Sequence, residues 1–77
     1  MTAQEKKVYY NRVRRTCKLH EIDIVYDGVP KMYCAVELVK DGNVMFADRA
    51  LGRRPLDIDW KRLHEEMVKY GYKGGVK

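Results

Sequence analysis

The stretch DIDWKRLHEEMVKYG, residues 57–71, decides the fold. Asp57 and Asp59 place side-chain oxygens and negative charge where a helix exposes unpaired N–H groups and the positive end of its dipole. Trp60, Leu63, Met67 and Tyr70 recur at i, i+3, i+7 and i+10, one stripe at helical spacing. Lys69 stands in the last turn, and Gly71 suits the left-handed residue that ends a helix. The spacing predicts a helix over 57–70. A helix this short is marginal in water, so it requires a sheet on which to bury Trp60.

Working upstream, Gly52-Arg53-Arg54-Pro55 reads as the link into that helix, and the sheet precedes it. Three strands are expected. Residues 20–26 alternate, with Ile22, Ile24 and Tyr26 set against Glu21, Asp23 and Val25. Residues 31–39 carry the strongest pattern, with Met32, Cys34, Val36 and Leu38 on one face. Asp27-Gly28-Val29-Pro30 turns the chain between the first two, and Asp41-Gly42 turns it into a third strand over 44–50. That second turn controls which side of the third strand is buried. A two-residue loop in plain register pairs Leu38 with Met45 and turns Phe46 outward. A three-residue loop sets Val44 and Phe46 beside Leu38 and Val36. Burying a phenylalanine stabilises by roughly 1.5–3 kcal/mol, which favours the second register.

Residues 3–19 read as a further helix. Tyr9, Val13 and Cys17 share one face at i+4 spacing, while Lys7, Asn11, Arg14 and Lys18 form a polar, mostly basic stripe. A strand is the rival, because Tyr9 to Leu19 also alternate; that alternation puts Asn11 and Arg15 on the apolar side, so the helix is preferred. The sequence therefore predicts one small α+β domain, helix–three-stranded antiparallel sheet–helix (α-β-β-β-α). Both helices are expected on one sheet face, and residues 71–77 as a flexible tail. This element order resembles the double-stranded RNA-binding domain over residues 3–70. That resemblance implies phosphate contacts from the N-terminus of the last helix and minor-groove contact by the loop at 27–31. Two departures stand out: the lysine cluster is reduced to Arg53 and Arg54 ahead of two aspartates and Trp60, and the usual run of small residues is missing. No family is assigned on this pattern.

The chain has 77 residues and a formal net charge of +5, with 45% hydrophobic and 35% charged residues, a globular composition. The charge is segregated. Residues 1–20 hold six Lys/Arg against one acid, residues 21–52 three against six, and residues 53–77 seven against four. Two basic ends flanking an acidic middle favour polyanions or acidic protein surfaces as partners. No apolar run approaches the ~20 residues that span a bilayer, so no membrane role is expected. The N-terminus has no signal-like apolar region, and the two cysteines, Cys17 and Cys34, are expected as free thiols in the cytoplasm.

Catalysis is poorly provided for. The chain has no serine, which removes Ser-His-Asp chemistry. Cys17 and Cys34 fall on core-facing stripes, where a thiol is inert. Asp57 and Asp59 diverge on a helix and cannot act as a dyad. Cys17, His20, Cys34 and His64 match the ligand types of zinc, but only one local pair exists; buried cysteines with partly exposed histidines are expected instead. No catalytic residue, metal or cofactor is therefore anticipated. The leading expectation is a non-catalytic nucleic-acid-binding protein. Lys7, Arg12, Arg14, Arg15 and Lys18 would meet phosphates, Arg53 and Arg54 would extend the patch, and Tyr9 or Tyr10 would stack on a base. The alternative is a protein-interaction module or inhibitor, in its simplest form a homodimer through an open sheet face carrying Tyr33, Ala35 and Val39.

Overall fold

The computed structural model describes residues 2–27, 34–51 and 55–72. The first helix, α1, runs over Ala3–Leu19, as the i+4 pattern requires. Thr2 caps it: its hydroxyl accepts from the Glu5 N–H at 3.1 Å, and the Glu5 carboxylate accepts from the Thr2 N–H at 3.4 Å. This reciprocal pair satisfies two N–H groups that the helix itself leaves open. At the other end, the Ile22 N–H donates to the Cys17 carbonyl at 2.8 Å and the Glu21 N–H to the Lys18 carbonyl at 3.5 Å. That pattern is a Schellman motif, and it places Glu21 at φ 57° without a glycine. The Lys40 ammonium donates to the His20 carbonyl, meeting one more terminal acceptor.

Because His20 and Glu21 terminate α1, the first strand starts later than the alternation suggests. Strand β1 is Asp23–Asp27 rather than 20–26. Strands β2, Cys34–Lys40, and β3, Asn43–Ala50, complete an antiparallel sheet in the order β1-β2-β3; residues 31–33 of the expected second strand lie outside the described residues. The β2–β3 turn combines both expected solutions. Asp41 and Gly42 take φ 53° and 79° in a two-residue loop that pairs Lys40 with Asn43, the backbone that matches strand twist. A bulge then leaves Met45 as the extra residue, between the pairs Val39–Val44 and Leu38–Phe46. Phe46 is thereby buried beside Leu38, as its hydrophobicity demands. Val44 goes to the opposite face, not inward as a three-residue loop would place it, and is 53% exposed.

Both helices cover one face of the sheet. Val13 and Cys17 of α1 meet Val36, Leu38 and Phe46 of the sheet and Trp60, Leu63 and Met67 of the second helix, α2, Trp60–Lys69. Residues 55–57 form a single 3-10 turn, so α2 begins at Trp60 rather than 57, with Asp59 as its cap. Ile58, just before the helix, is also buried. The buried stripe of α2 is Trp60, Leu63, His64 and Met67. Tyr70 has left the helix as its cap residue and is 71% exposed.

The end of α2 repeats the closure of α1. The Tyr72 N–H reaches the Met67 carbonyl at 2.8 Å, the Gly71 N–H reaches Val68 at 3.0 Å, and Gly71 takes φ 92°. Tyr72 then packs on the core, with its ring 5.2 Å from His20 and 6.1 Å from Phe46. Gly71 and Tyr72 thus belong to the folded unit and not to a tail; residues 73–77 of that expected tail lie outside the described residues. Among the described residues, no helix is long and apolar enough to cross a membrane.

Candidate nucleic-acid interface

Helix α1 positions the basic side chains. Val13, Thr16 and Cys17 are buried and mark its inner side. At about 100° per residue, Lys7, Arg14 and Lys18 fall on one line, with Arg15 next to it. All four are exposed. Thr16, facing the other way, satisfies its buried hydroxyl by donating to the Arg12 carbonyl at 2.9 Å. Lys7, Arg14 and Lys18 of the expected stripe therefore share one solvent face, with Arg15 exposed beside it.

Arg12 does not join them. It lies on the opposite flank of α1, with its guanidinium 5.1 Å from the centre of the Tyr9 ring. It also faces α2, where its charge helps to hold the His64 pKa below the usual histidine range; burial is the larger cause, and Glu65 opposes both. At about 100° per residue, Arg12 is only about 60° from Arg15; what separates it is α2, beside which it is half-buried near Tyr9 and His64. Arg53 and Arg54 lie outside the described residues.

Both tyrosines are half-buried and engaged with the core. Tyr9 sits 6.0 Å from the His64 ring, and Tyr10 makes an edge contact with Trp60 at 4.9 Å. Tyr10 is also a platform for Arg14, whose guanidinium stands 5.4 Å from its ring centre. Tyr26 completes this cluster. Its pKa is raised, first by burial and then by the hydrogen bond it shares with Tyr10, while Arg14 pulls in the opposite direction. Arg14 is thus seated over the Tyr10 ring while remaining exposed to solvent.

Beneath these cations lies a groove of about 570 Å³ between α1 and β1. Arg14, Arg15 and Lys18 form one wall, and Cys17, Ile22 and Ile24 form the floor, with Asp23 at the rim. The stripe pattern does not foretell it, because it depends on how α1 overhangs the sheet edge.

The N-terminus of α2 is already supplied with carboxylates. Asp48, on the inner face of β3, accepts from the Asp59 N–H at 2.9 Å and pairs with Arg62. Asp59 accepts from the Arg62 N–H at 3.1 Å, and Arg62 also reaches Glu66 at 3.4 Å. These acids occupy the position at which a helix end would hold an anion. Asp48 is the residue sequence reasoning misses here: burying Phe46 already turns it inward, but only the packing of α2 shows that it meets Asp59 and Arg62.

Both thiols sit above the usual cysteine range. Burial pushes the Cys17 pKa up to about 11, and burial followed by the charge of Asp57 raises that of Cys34. His64 is 8% exposed, more deeply buried than a partly exposed surface histidine, and its Nε2 has no hydrogen-bond partner among the described residues. Among those residues, no three or more His, Cys, Asp or Glu side chains are gathered as metal ligands would be.

The face of the sheet away from the helices carries Ala35 and Val39, while Tyr33 lies outside the described residues. Its cross-strand rows read Asp23–Val39–Val44, Val25–Glu37–Ala47 and Asp27–Ala35–Arg49. A charge in every row breaks up the apolar area that a large dimer interface needs. No family model, curated protein or solved structure matches this chain, so the likeness to the double-stranded RNA-binding domain rests on element order alone.

Proposed function

We propose that this protein is a non-catalytic, cytoplasmic nucleic-acid-binding protein that contacts phosphates through Lys7, Arg14, Arg15 and Lys18 of α1. The observation that carries this reading is the exposure of all four on one continuous face of a capped helix. From Lys7 to Lys18 the face spans about 16 Å of helix axis, against one negative charge per ~1.7 Å of duplex axis. With Tyr9 and Tyr10 engaged internally, binding is phosphate contact without base stacking and carries little sequence preference.

The test measures association with duplex RNA, duplex DNA and a single strand at about 50 mM and 200 mM salt. Binding is expected at the lower concentration, to weaken steeply at the higher, and to be lost in the double variant Arg14→Glu/Arg15→Glu. No association with any of the three at the lower concentration overturns the proposal. The homodimer alternative draws no comparable support, given the charges across the open face.

A further inference from the structure

We propose that the groove between α1 and β1 receives an acidic, extended segment of a partner protein, added to the sheet as a fourth strand along β1. Three observations point to this occupant. Among the described residues, β1 is an edge strand, bonded to β2 on one side only, so the other side of residues 23–26 presents backbone donors and acceptors to a new strand. The groove beside it has an apolar floor at Ile22 and Ile24 and three cations against one carboxylate on its walls, which complements an acidic segment.

Alternate residues of a strand added along β1 point to the helix-covered side of the sheet, where Arg14, Arg15 and Lys18 line the groove. Carboxylates at those positions face the cations, while the residues between them continue the open face beside Val25.

The same charges argue against a second copy of this chain in the groove. Pairing β1 with β1 about a two-fold axis brings the two cationic groove walls toward each other, like charge against like. The far edge is also less receptive. β3 carries the bulge at Met45 and the inward-pointing Asp48, two features that deter strand addition.

Strand addition differs from nucleic-acid contact in needing the backbone of β1, and the test reads that backbone. The probe is a capped eight-residue peptide of alternating glutamate and valine, titrated into the intact protein and followed by amide chemical shifts and fluorescence anisotropy. Shifts are expected at Asp23–Asp27, with an affinity at least tenfold above that of the matching lysine–valine peptide. Two N-methylated versions complete it, each blocking one alternate set of backbone amides. One set should lower affinity at least tenfold and the other leave it within about twofold, because only every second amide faces β1. Equal affinity for both versions assigns the cations to polyanion contact alone and overturns the proposal, as does the absence of binding. A protein dimer with buried β1 amides overturns it in favour of a second copy.

Discussion

Asp48 is the most exacting point at which to test the packing of α2 on the sheet. Its carboxylate, 13% exposed, takes the Asp59 N–H at 2.9 Å and the Arg62 guanidinium. A hydrogen bond involving a charged group contributes about 1.5–3 kcal/mol. The Arg62 side chain is 47% exposed, so its share falls to the surface range of about 0–1 kcal/mol. Asp48→Ala removes both bonds and is expected to cost about 2 kcal/mol. For a domain of this size that lowers Tm by about 8–16 °C.

Asp48→Asn keeps an acceptor for the Asp59 N–H and loses only the ion pair and the favourable interaction with the helix dipole. Its cost should be about 1 kcal/mol, and it should shrink in 0.5 M salt, where exposed charges are screened. Thermal unfolding followed by circular dichroism at low and high salt separates the two variants. An Asp48→Ala cost below about 0.5 kcal/mol, or equal and salt-independent costs for both, would refute the assignment of Asp48 as the link between β3 and α2.

Further outcomes concern the backbone, the core and pH. Glu21→Gly relieves a left-handed residue at the end of α1 and should stabilise by about 1 kcal/mol in urea unfolding. Gly42→Ala has open space around the new methyl group but keeps φ 79°, so strain alone should cost about 1 kcal/mol in the same assay. Trp60→Ala empties the centre of the core and should cost about 3–5 kcal/mol, enough to leave the chain largely unfolded by near-ultraviolet circular dichroism. His64, facing Arg12 and Tyr9, has a folded-state pKa below its unfolded value of about 6.5. The unfolded chain thus takes up the proton first, and stability falls as pH drops below about 6.5, levelling off beneath the folded-state pKa. His64→Leu should remove that part of the acid dependence when Tm is compared between pH 7.5 and 5.

The helices were legible because their patterns are local. Lys7, Arg14 and Lys18 share a face as a direct consequence of helical rise, and the packing of Trp60, Leu63 and Met67 follows from i+3 and i+4 spacing. Where several residues are settled by distant contacts, the pattern runs out. Phe46 had to be buried, but alternation cannot distinguish a longer loop from a two-residue turn plus a bulge at Met45. With Phe46 buried, Asp48 shares its face, and it is the packing of α2 that brings Arg62 to it. Glu21 hides a helix end because the left-handed residue is not a glycine, so the expected strand begins too early. A count of cations groups Arg12 with its neighbours; its separation depends on where α2 packs. The Thr2–Glu5 cap was available as T-x-x-E, a signature of a helix start.

In the proposed function, one face of α1 is the phosphate-contacting platform. Its most direct test is the slope of log K against log salt for duplex DNA, compared between the wild type and the Arg14→Glu/Arg15→Glu variant. Four cations predict a slope of about −3.6, with binding by the variant too weak to measure. A slope near zero, or a variant that binds as the wild type does, would contradict it.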